Sequence, residues 1–200
     1  MTDFDTSAKD WDEIPIRAER AGAVAEAIRE QVSLSPTMTA LEYGCGTGLL
    51  SFALQPFLGP ITLADSSTGM LEVLKEKVAA NGARNMTPLK LDLAVDPLPM
   101  ERFDLVFTLM TLHHIPDTAD ILNKFFSLLE SSGSLCIADL DKEDGSFHDY
   151  DFGGHNGFDR QQLKELLLQI GFVNVRFTTP FAMKKAARVY PLFLVVAEKK

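Results

Sequence analysis

The order of apolar and polar residues along the chain predicts helices and strands in alternation. A first helix is predicted over residues 16–32, where Ala21, Val24, Ala25, Ile28 and Val32 recur at helical spacing opposite charged positions. Five apolar runs then follow, each typical of a buried strand, at 38–44, 61–65, 86–92, 103–112 and 131–140. Such runs separated by helical segments indicate a parallel sheet that is covered on both faces.

The segments between and after these strands complete the prediction. Helices are expected at 49–58, at 68–80 and after the capping residues Asp117 and Asp159. Two last strands, 172–179 and 189–199, have no helix between them, which favours an antiparallel pair. We therefore expect one domain over residues 1–200, a three-layer α/β/α architecture with a seven-stranded, mostly parallel sheet and one reversed strand near the C-terminus.

Composition limits the kinds of partner. The chain has 200 residues and a formal net charge of -9, which argues against nucleic acid as a partner. No run approaches the roughly 20 apolar residues that span a bilayer, and the acidic start differs from a signal peptide. These features predict a cytoplasmic protein with no membrane partner.

Cys45 and Cys136 are the only cysteines, and each lies in an apolar stretch. We expect both to be reduced, packed thiols rather than a disulfide. Their spacing matches no zinc motif, so no metal site is predicted.

Residues 41–50, LEYGCGTGLL, place Gly44, Gly46 and Gly48 between the first predicted strand and its helix. Glycines there allow positive φ angles and let a ligand approach the backbone. Ligands of open parallel sheets bind at the carboxyl ends of the strands. A tight turn without a ligand is the plain alternative, but three alternate glycines favour a ligand.

The glycine spacing and the preceding acidic residue narrow the kind of ligand. A dinucleotide fingerprint beginning at Gly44 requires glycine at position 49, where this chain has Leu49, and no P-loop is present. Glu42 in front of the turn would repel a pyrophosphate, whereas it suits a ligand with an ammonium group.

The stretch LEYGCGTG resembles the first motif of class I S-adenosylmethionine-dependent methyltransferases, E/D-x-G-x-G-x-G. The resemblance extends through residues 36–140 and continues into the closing hairpin. Within it, the stretch FDLVFTLMTLHHIPD resembles the fourth motif of that family. It implies S-adenosylmethionine as cofactor, S-adenosylhomocysteine as product and, from the size of the chain, a small-molecule methyl acceptor.

The resemblance also implies positions for the cofactor-binding residues. Glu42 and the three glycines would hold the amino-acid part, and Asp65, beside Ser66, would hold the ribose hydroxyls. Asp92 would lie near the adenine amino group, with the backbone N–H of Leu93 and the apolar side chain of Met70 at the ring. Because three acidic residues end successive strands, they would form a row along one edge of the sheet.

Residues 1–35 are expected to form a cap helix segment. Our hypothesis is that the helix folds over the cofactor, with Arg17 near the cofactor carboxylate and Trp11 closing the pocket. The alternative is an amphipathic helix on the flank of the sheet with a solvated arginine; the two are compatible.

Histidines near the same edge are candidate proton acceptors. His113 and His114 follow the fourth strand, and we interpret His113 as facing substrate and His114 as holding the turn before Pro116. The substrate-side loop, residues 141–158, brings His148 and His155 as further catalytic candidates. Glycines in this loop allow a lid, although an exposed connection fits equally well.

These features predict methyl transfer to a small molecule. Two alternatives stay open at this point: a non-catalytic protein that binds S-adenosylmethionine or S-adenosylhomocysteine, and a nicotinamide-dependent oxidoreductase. Leu49 in place of a glycine disfavours the oxidoreductase.

Overall fold

The computed structural model describes residues 4–148, 150, 152–185 and 187–200. Its centre is a seven-stranded sheet with the order β3-β2-β1-β4-β5-β7-β6. Strands β1 to β5 pair in parallel, whereas β7 is antiparallel to both of its neighbours, which confirms the predicted sheet with one reversed strand. The strands are β1 Ala40–Tyr43, β2 Ile61–Asp65, β3 Met86–Lys90, β4 Phe103–Leu109, β5 Leu129–Leu140, β6 Phe172–Lys185 and β7 Arg188–Lys199.

Helices cover both faces of the sheet. They are α1 Phe4–Ser7, α2 Pro15–Gln31, α3 Leu49–Leu54, α4 Thr68–Asn81, α5 Thr118–Leu128 and α6 Arg160–Ile170, with short 3₁₀ turns at Trp11–Glu13, Gln55–Phe57 and Leu112–His114. The side chains of Asp117 and Asp159 accept backbone N–H groups at the starts of α5 and α6, as predicted.

Alternate residues of each central strand enter two separate cores. In β4, Leu105 and Phe107 pack with α2, α3 and α4, while Val106 packs with α5 and α6 on the other face. This division confirms the three layers, and it leaves the carboxyl ends of β1 to β5 at a single edge of the sheet.

Local differences from the sequence prediction have simple causes. The helix predicted over 49–58 ends at Leu54 and continues as a 3₁₀ turn that contains Pro56. Pro88 lies in β3 at the edge of the sheet, as expected for a residue without a backbone N–H. Cys45 and Cys136 are buried and free.

Among the residues that the structure describes, no helix combines the length and the apolar character that crossing a bilayer requires.

Candidate cofactor and acceptor site

The three glycines form a compact turn, residues 44–48, which we call the glycine turn. Gly44, Gly46 and Gly48 have φ angles of +69°, +54° and +81°. A Cβ atom on Gly44 would lie 2.3 Å from Thr111 Cγ2, whereas one on Gly46 would meet only Met70 Sδ, at 3.9 Å. Packing therefore requires glycine at position 44, while Gly46 leaves room beside the backbone.

Asp65 ends β2 next to this turn. Its carboxylate accepts the backbone N–H groups of Gly46 (2.7 Å) and Ser67 (2.8 Å). Burial raises the pKa of Asp65. Each carboxylate oxygen has a further lone pair, so Asp65 can hold the turn and still accept a ligand hydroxyl. Ser66, beside it, is exposed.

Glu42 lies deeper in the protein than its place in front of the turn suggested. The side chain is buried, and its carboxyl group accepts hydrogen bonds from the backbone N–H (3.2 Å) and the hydroxyl of Ser51. Burial raises the pKa of Glu42 to about 8, so the neutral form dominates at neutral pH. The expected charge pairing with an ammonium group stays a prediction, and a bound cation would have to favour the ionised form of Glu42. The depth of Glu42 follows from its register: it pairs with Leu63 of β2, and β2 continues for two more residues to Asp65.

The predicted adenine end also differs in one contact. We expected the Leu93 backbone N–H to bind the purine ring. In the structure this N–H instead donates to the Tyr43 hydroxyl (3.1 Å). Asp92 is half-buried at the same edge and accepts the Ala94 N–H (2.9 Å). Met70 is buried close to Gly46.

The residues before α2 lie across the glycine turn. Asp12 accepts hydrogen bonds from Thr47 Oγ1 and Lys77 Nζ, both at 2.5 Å, and Lys77 also donates to the Thr47 carbonyl oxygen. Asp5 accepts the Ser67 hydroxyl (2.6 Å) and the Gly69 N–H (2.8 Å) at the start of α4. Two aspartates thus tie the N-terminal segment, residues 4–31, to the edge where the cofactor is expected.

Trp11 and Arg17 contact one another within this segment. The Arg17 guanidinium lies 3.5 Å from the Trp11 ring centre and donates to the Trp11 carbonyl oxygen (2.9 Å). Phe4 contacts both the Trp11 ring and the His114 ring. The segment therefore bridges the glycine turn and the histidines after β4, while α2 packs on the flank of the sheet.

His113, His114, His148 and Phe152 form a second group, which we call the histidine cluster. The rings of His113 and His148 lie 5.6 Å apart, and His148 stacks on Phe152 at 3.7 Å. Nδ1 of His113 lies 2.7 Å from Oδ1 of Asp139, at the end of β5. Although burial opposes it, contact with His113 lowers the pKa of Asp139, so we assign the proton to Nδ1 of His113.

The structure distinguishes the two neighbouring histidines by burial and by partner, and the catalytic role expected for His113 stays a prediction. His113 is 1% exposed and is held by Asp139, whereas His114 is half-buried and contacts the N-terminal segment. Burial lowers the pKa of His114 to about 4 and also lowers that of His148, so both rings are neutral at neutral pH. Asp139 holds the turn after β4 in place, because it bonds both the ring and the backbone N–H of His113.

His155 lies apart from this cluster. Its Nε2 atom is 3.0 Å from the Ile115 carbonyl oxygen and 3.3 Å from the Thr118 hydroxyl. Its backbone N–H donates to the His113 carbonyl oxygen (2.8 Å). The ring therefore holds loop 141–158 against the turn after β4, and we place His155 outside the reacting groups. Residues 149 and 151 of this loop lie outside the described residues.

Several site residues escaped the sequence analysis. Asp139 was hidden in an apolar strand, and Asp12 in an acidic stretch that we noted only for its charge. Met110, with φ of +54°, follows β4 in a conformation that is costly for a residue with a side chain. An acidic residue interrupting the apolar run LCIADL was the available signal for Asp139.

Comparison with known proteins decides the family. A family model described as a methyltransferase domain matches residues 34–170, well over half of the chain. The chain belongs to this methyltransferase family. The family assignment agrees with the resemblance in the glycine turn.

Two curated relatives show how far this methyltransferase domain extends. An uncharacterized methyltransferase of Schizosaccharomyces pombe is 34% identical over 118 residues, which cover 56% of this chain and 42% of the relative. The ubiquinone biosynthesis O-methyltransferase of Marinobacter nauticus is 31% identical over 123 residues, 60% of this chain and 51% of that protein. The matches thus span about half the length of these relatives.

Solved methyltransferases share the fold of the domain. A SAM-dependent methyltransferase from Aquifex aeolicus superposes with a TM-score of 0.72 at 21% identity, covering 98% of both chains. Phosphoethanolamine N-methyltransferase 2 of Haemonchus contortus, solved with S-adenosyl-L-methionine, gives 0.72 at 17% identity over 88% of this chain and 52% of its own. These likenesses confirm the class I, Rossmann-like fold.

Within the described part of the chain, no three His, Cys, Asp or Glu side chains are grouped to hold a metal ion. The absence of a metal site from the mature protein stays a prediction.

Proposed function

We propose that this domain binds S-adenosylmethionine on the glycine turn and transfers its methyl group to a small molecule beside the histidine cluster. One observation supports the binding site above the others: the Asp65 carboxylate contacts the Gly46 N–H at 2.7 Å, on a turn whose Gly46 face is open. The solved Haemonchus relative, which holds this cofactor on the same fold, adds support.

The residues present fit that ligand. The backbone of Gly46 leaves space beside the turn, and Asp65 retains lone pairs for hydroxyl groups. Glu42 would contribute through shape rather than charge, since it fixes the start of α3 through Ser51. The remaining contacts would come from Gly44, Gly48, Ser66, Met70, Asp92, Trp11 and Arg17.

The cofactor supplies a methyl group already activated by its sulfonium charge. The protein then has to align the acceptor and exclude water. The N-terminal segment suits the second task, because Asp5 and Asp12 hold it over α4 and the glycine turn.

His113 is the proposed proton acceptor. With Nδ1–H donated to Asp139, the lone pair of the imidazole is on Nε2, which can take a proton from an acceptor hydroxyl or ammonium group. His148 adds a second polar group, since its Nε2 is buried without a hydrogen-bond partner. His155 has no part in this step.

Transfer from methyl-labelled S-adenosylmethionine across a panel of metabolites tests the proposal. We expect labelled product with the parent protein, and at least a tenfold loss with Asp65→Ala. Asp159→Asn is the matched control, because Asn also caps a helix and α6 lies outside the site. Binding of the cofactor without transfer to any acceptor would support the non-catalytic alternative, and preferential binding of NADH would support the oxidoreductase.

A further inference from the structure

Arg20, on α2 one turn after Arg17, is a partly buried cation with poor partners. Its Nη1 donates only to the thioether sulfur of Met183 (3.3 Å), and its Nε is buried without any partner. Within the described residues, no carboxylate forms an ion pair with this guanidinium. A thioether is a weak acceptor, so the guanidinium keeps donor capacity for a stronger acceptor such as an oxyanion.

Asp139, whose charge acts on Arg20, is already engaged by other groups. Asp139 accepts Nδ1–H and the backbone N–H of His113, and also the Leu140 N–H at 2.7 Å. Burial and the charge of Arg17 lower the pKa of Arg20 to about 10, with Asp139 opposing them. Arg20 therefore stays protonated at neutral pH, and none of the described carboxylates is its direct counter-ion.

A chain of side-chain contacts connects Arg20 to the histidine cluster. The charge of Asp139 also raises the pKa values of Arg20, His114 and His148 against the effect of burial. Met183, the contact of Arg20, packs with Tyr190 and Leu140, and Phe147 joins this group to His148 through ring contacts. A ligand here would meet an aromatic and apolar wall, two neutral imidazoles and one unpaired guanidinium.

We propose that Arg20 selects methyl acceptors that carry an anionic group, a carboxylate or a phosphate, and binds that group directly. The planar guanidinium has the geometry for bidentate contact with either oxyanion. The carbon skeleton of the acceptor would lie against the wall around Phe147, with its reacting atom towards His113. This inference rests on the proposed methyl transfer and adds the chemical class of the substrate.

Matched pairs of compounds test this selection. The panel contains aromatic hydroxy acids with their carboxamides and phosphate monoesters with their parent alcohols, each assayed for transfer of labelled methyl. We expect activity with anionic members only, and the carboxylate and phosphate arms show which oxyanion is used. Arg20→Gln should lower kcat/KM about 10- to 100-fold, mainly through KM, and Arg20→Lys should restore part of it.

Arg29→Gln is the control on the same helix, since Arg29 is a surface residue paired with Glu26. It should leave kcat/KM unchanged.

Affinity for S-adenosylhomocysteine, measured separately, should be unchanged in Arg20→Gln. An equal loss of that affinity would place the carboxylate of the cofactor on Arg20 and contradict the proposal. Equal activity with neutral members, no anionic substrate, or parent-like kinetics of Arg20→Gln would also overturn it. Failure of the parent to bind S-adenosylhomocysteine would instead count against the methyltransferase proposal itself.

Discussion

The glycine turn and the histidine cluster lie at the same edge of the sheet. The turn is made of consecutive residues, whereas the cluster is made of residues from distant segments of the chain. The turn is five consecutive residues, stabilised mainly through backbone groups and the Asp65 carboxylate. The cluster joins the turn after β4, the end of β5 and the loop beyond it, and Arg20 of α2 contacts Met183 of β6.

This difference separates the two halves of the proposed reaction. Contacts with backbone N–H groups and glycines depend on conformation, so the glycine turn should tolerate few changes at its own positions. The cluster depends on side-chain chemistry brought together by the fold, so its residues should alter rate and selectivity while the cofactor still binds. The predictions below test this division.

The largest effect is expected at Gly44. Gly44→Ala would bring Cβ to 2.3 Å from Thr111 at a φ of +69°, so the turn has to move. We expect at least 100-fold weaker binding of S-adenosylhomocysteine by calorimetry. Gly46→Ala should also weaken binding, because a φ of +54° is costly for alanine and its Cβ would enter the space proposed for the cofactor, although within the protein that Cβ meets only Met70 Sδ at 3.9 Å.

Gly22→Ala is the control for these glycine variants, since nothing lies within 4 Å of a Cβ there and the residue is in α2. It should bind like the parent and be more stable, because alanine favours a helix. Parent-like binding by Gly44→Ala would refute the packing argument.

Asp139→Asn should act on the opposite half of the site. Without the carboxylate, His113 loses the partner that holds its Nδ1 proton, so we expect kcat to fall about 100-fold and its pH profile to shift. Affinity for S-adenosylhomocysteine should stay within about twofold of the parent, since the glycine turn is unchanged.

A purely structural role of Asp139 would lower stability without moving the pH profile. The double variant Asp139→Asn/His113→Gln, compared with both single variants, measures the coupling, and we expect the double loss to be far smaller than the product of the single losses. Multiplicative losses would show that the two side chains act independently.

Release of the N-terminal segment should give a moderate effect. Asp12→Ala removes the contacts with Thr47 and Lys77, so we expect dissociation of S-adenosylhomocysteine to become about tenfold faster. The fluorescence of Trp11, the only tryptophan, reports the change in stopped-flow measurements. Asp10→Ala is the control, because Asp10 is exposed and makes no side-chain cap hydrogen bond. Identical rates for both variants would show that the segment does not gate the site.

The smallest effect concerns Glu42 and pH. The pKa of Glu42 is raised by burial from 4.5 to about 8, so the folded state binds the extra proton and stability should fall as pH rises across that interval. His114, with its pKa lowered from 6.5 to about 4, opposes this trend below pH 6.5, which leaves pH 6.5 to 8 as the clear window.

In that window we expect the parent to lose a few degrees of Tm and Glu42→Gln to lose less, as measured by thermal unfolding at matched ionic strength. Equal slopes for the two proteins would show that Glu42 is ionised in the folded state.

Sequence reasoning reached most of the fold because strands and helices are specified locally. Apolar runs marked the central strands, and Pro88 marked the edge position through its missing N–H. The end of β6 was not marked: that strand was predicted to stop at residue 179 but continues to Lys185. The glycine turn was equally accessible, since its residues are consecutive. The burial of Glu42 could not be predicted in this way. Glu42 lies one residue before the end of β1, and a shift of one residue decides whether such a carboxylate is at the surface or buried.

Contacts between distant segments explain what sequence reasoning missed. The Tyr43 hydroxyl accepts the N–H of Leu93, 50 residues away in sequence, and Asp139 bonds to His113, 26 residues away. Arg20 looked like one more charge on an amphipathic helix, and only the tertiary contact with Met183 shows a partly buried guanidinium. Such pairings depend on the tertiary fold and leave no local pattern.

Calorimetric titration of the ligand-free protein with S-adenosylhomocysteine tests the central claim most directly. The account predicts saturable binding with one site per chain, which Asp65→Ala weakens at least tenfold while Asp159→Asn preserves it. Absence of binding to the folded parent protein, or equal binding by Asp65→Ala, would contradict the assignment of the glycine turn as the cofactor site.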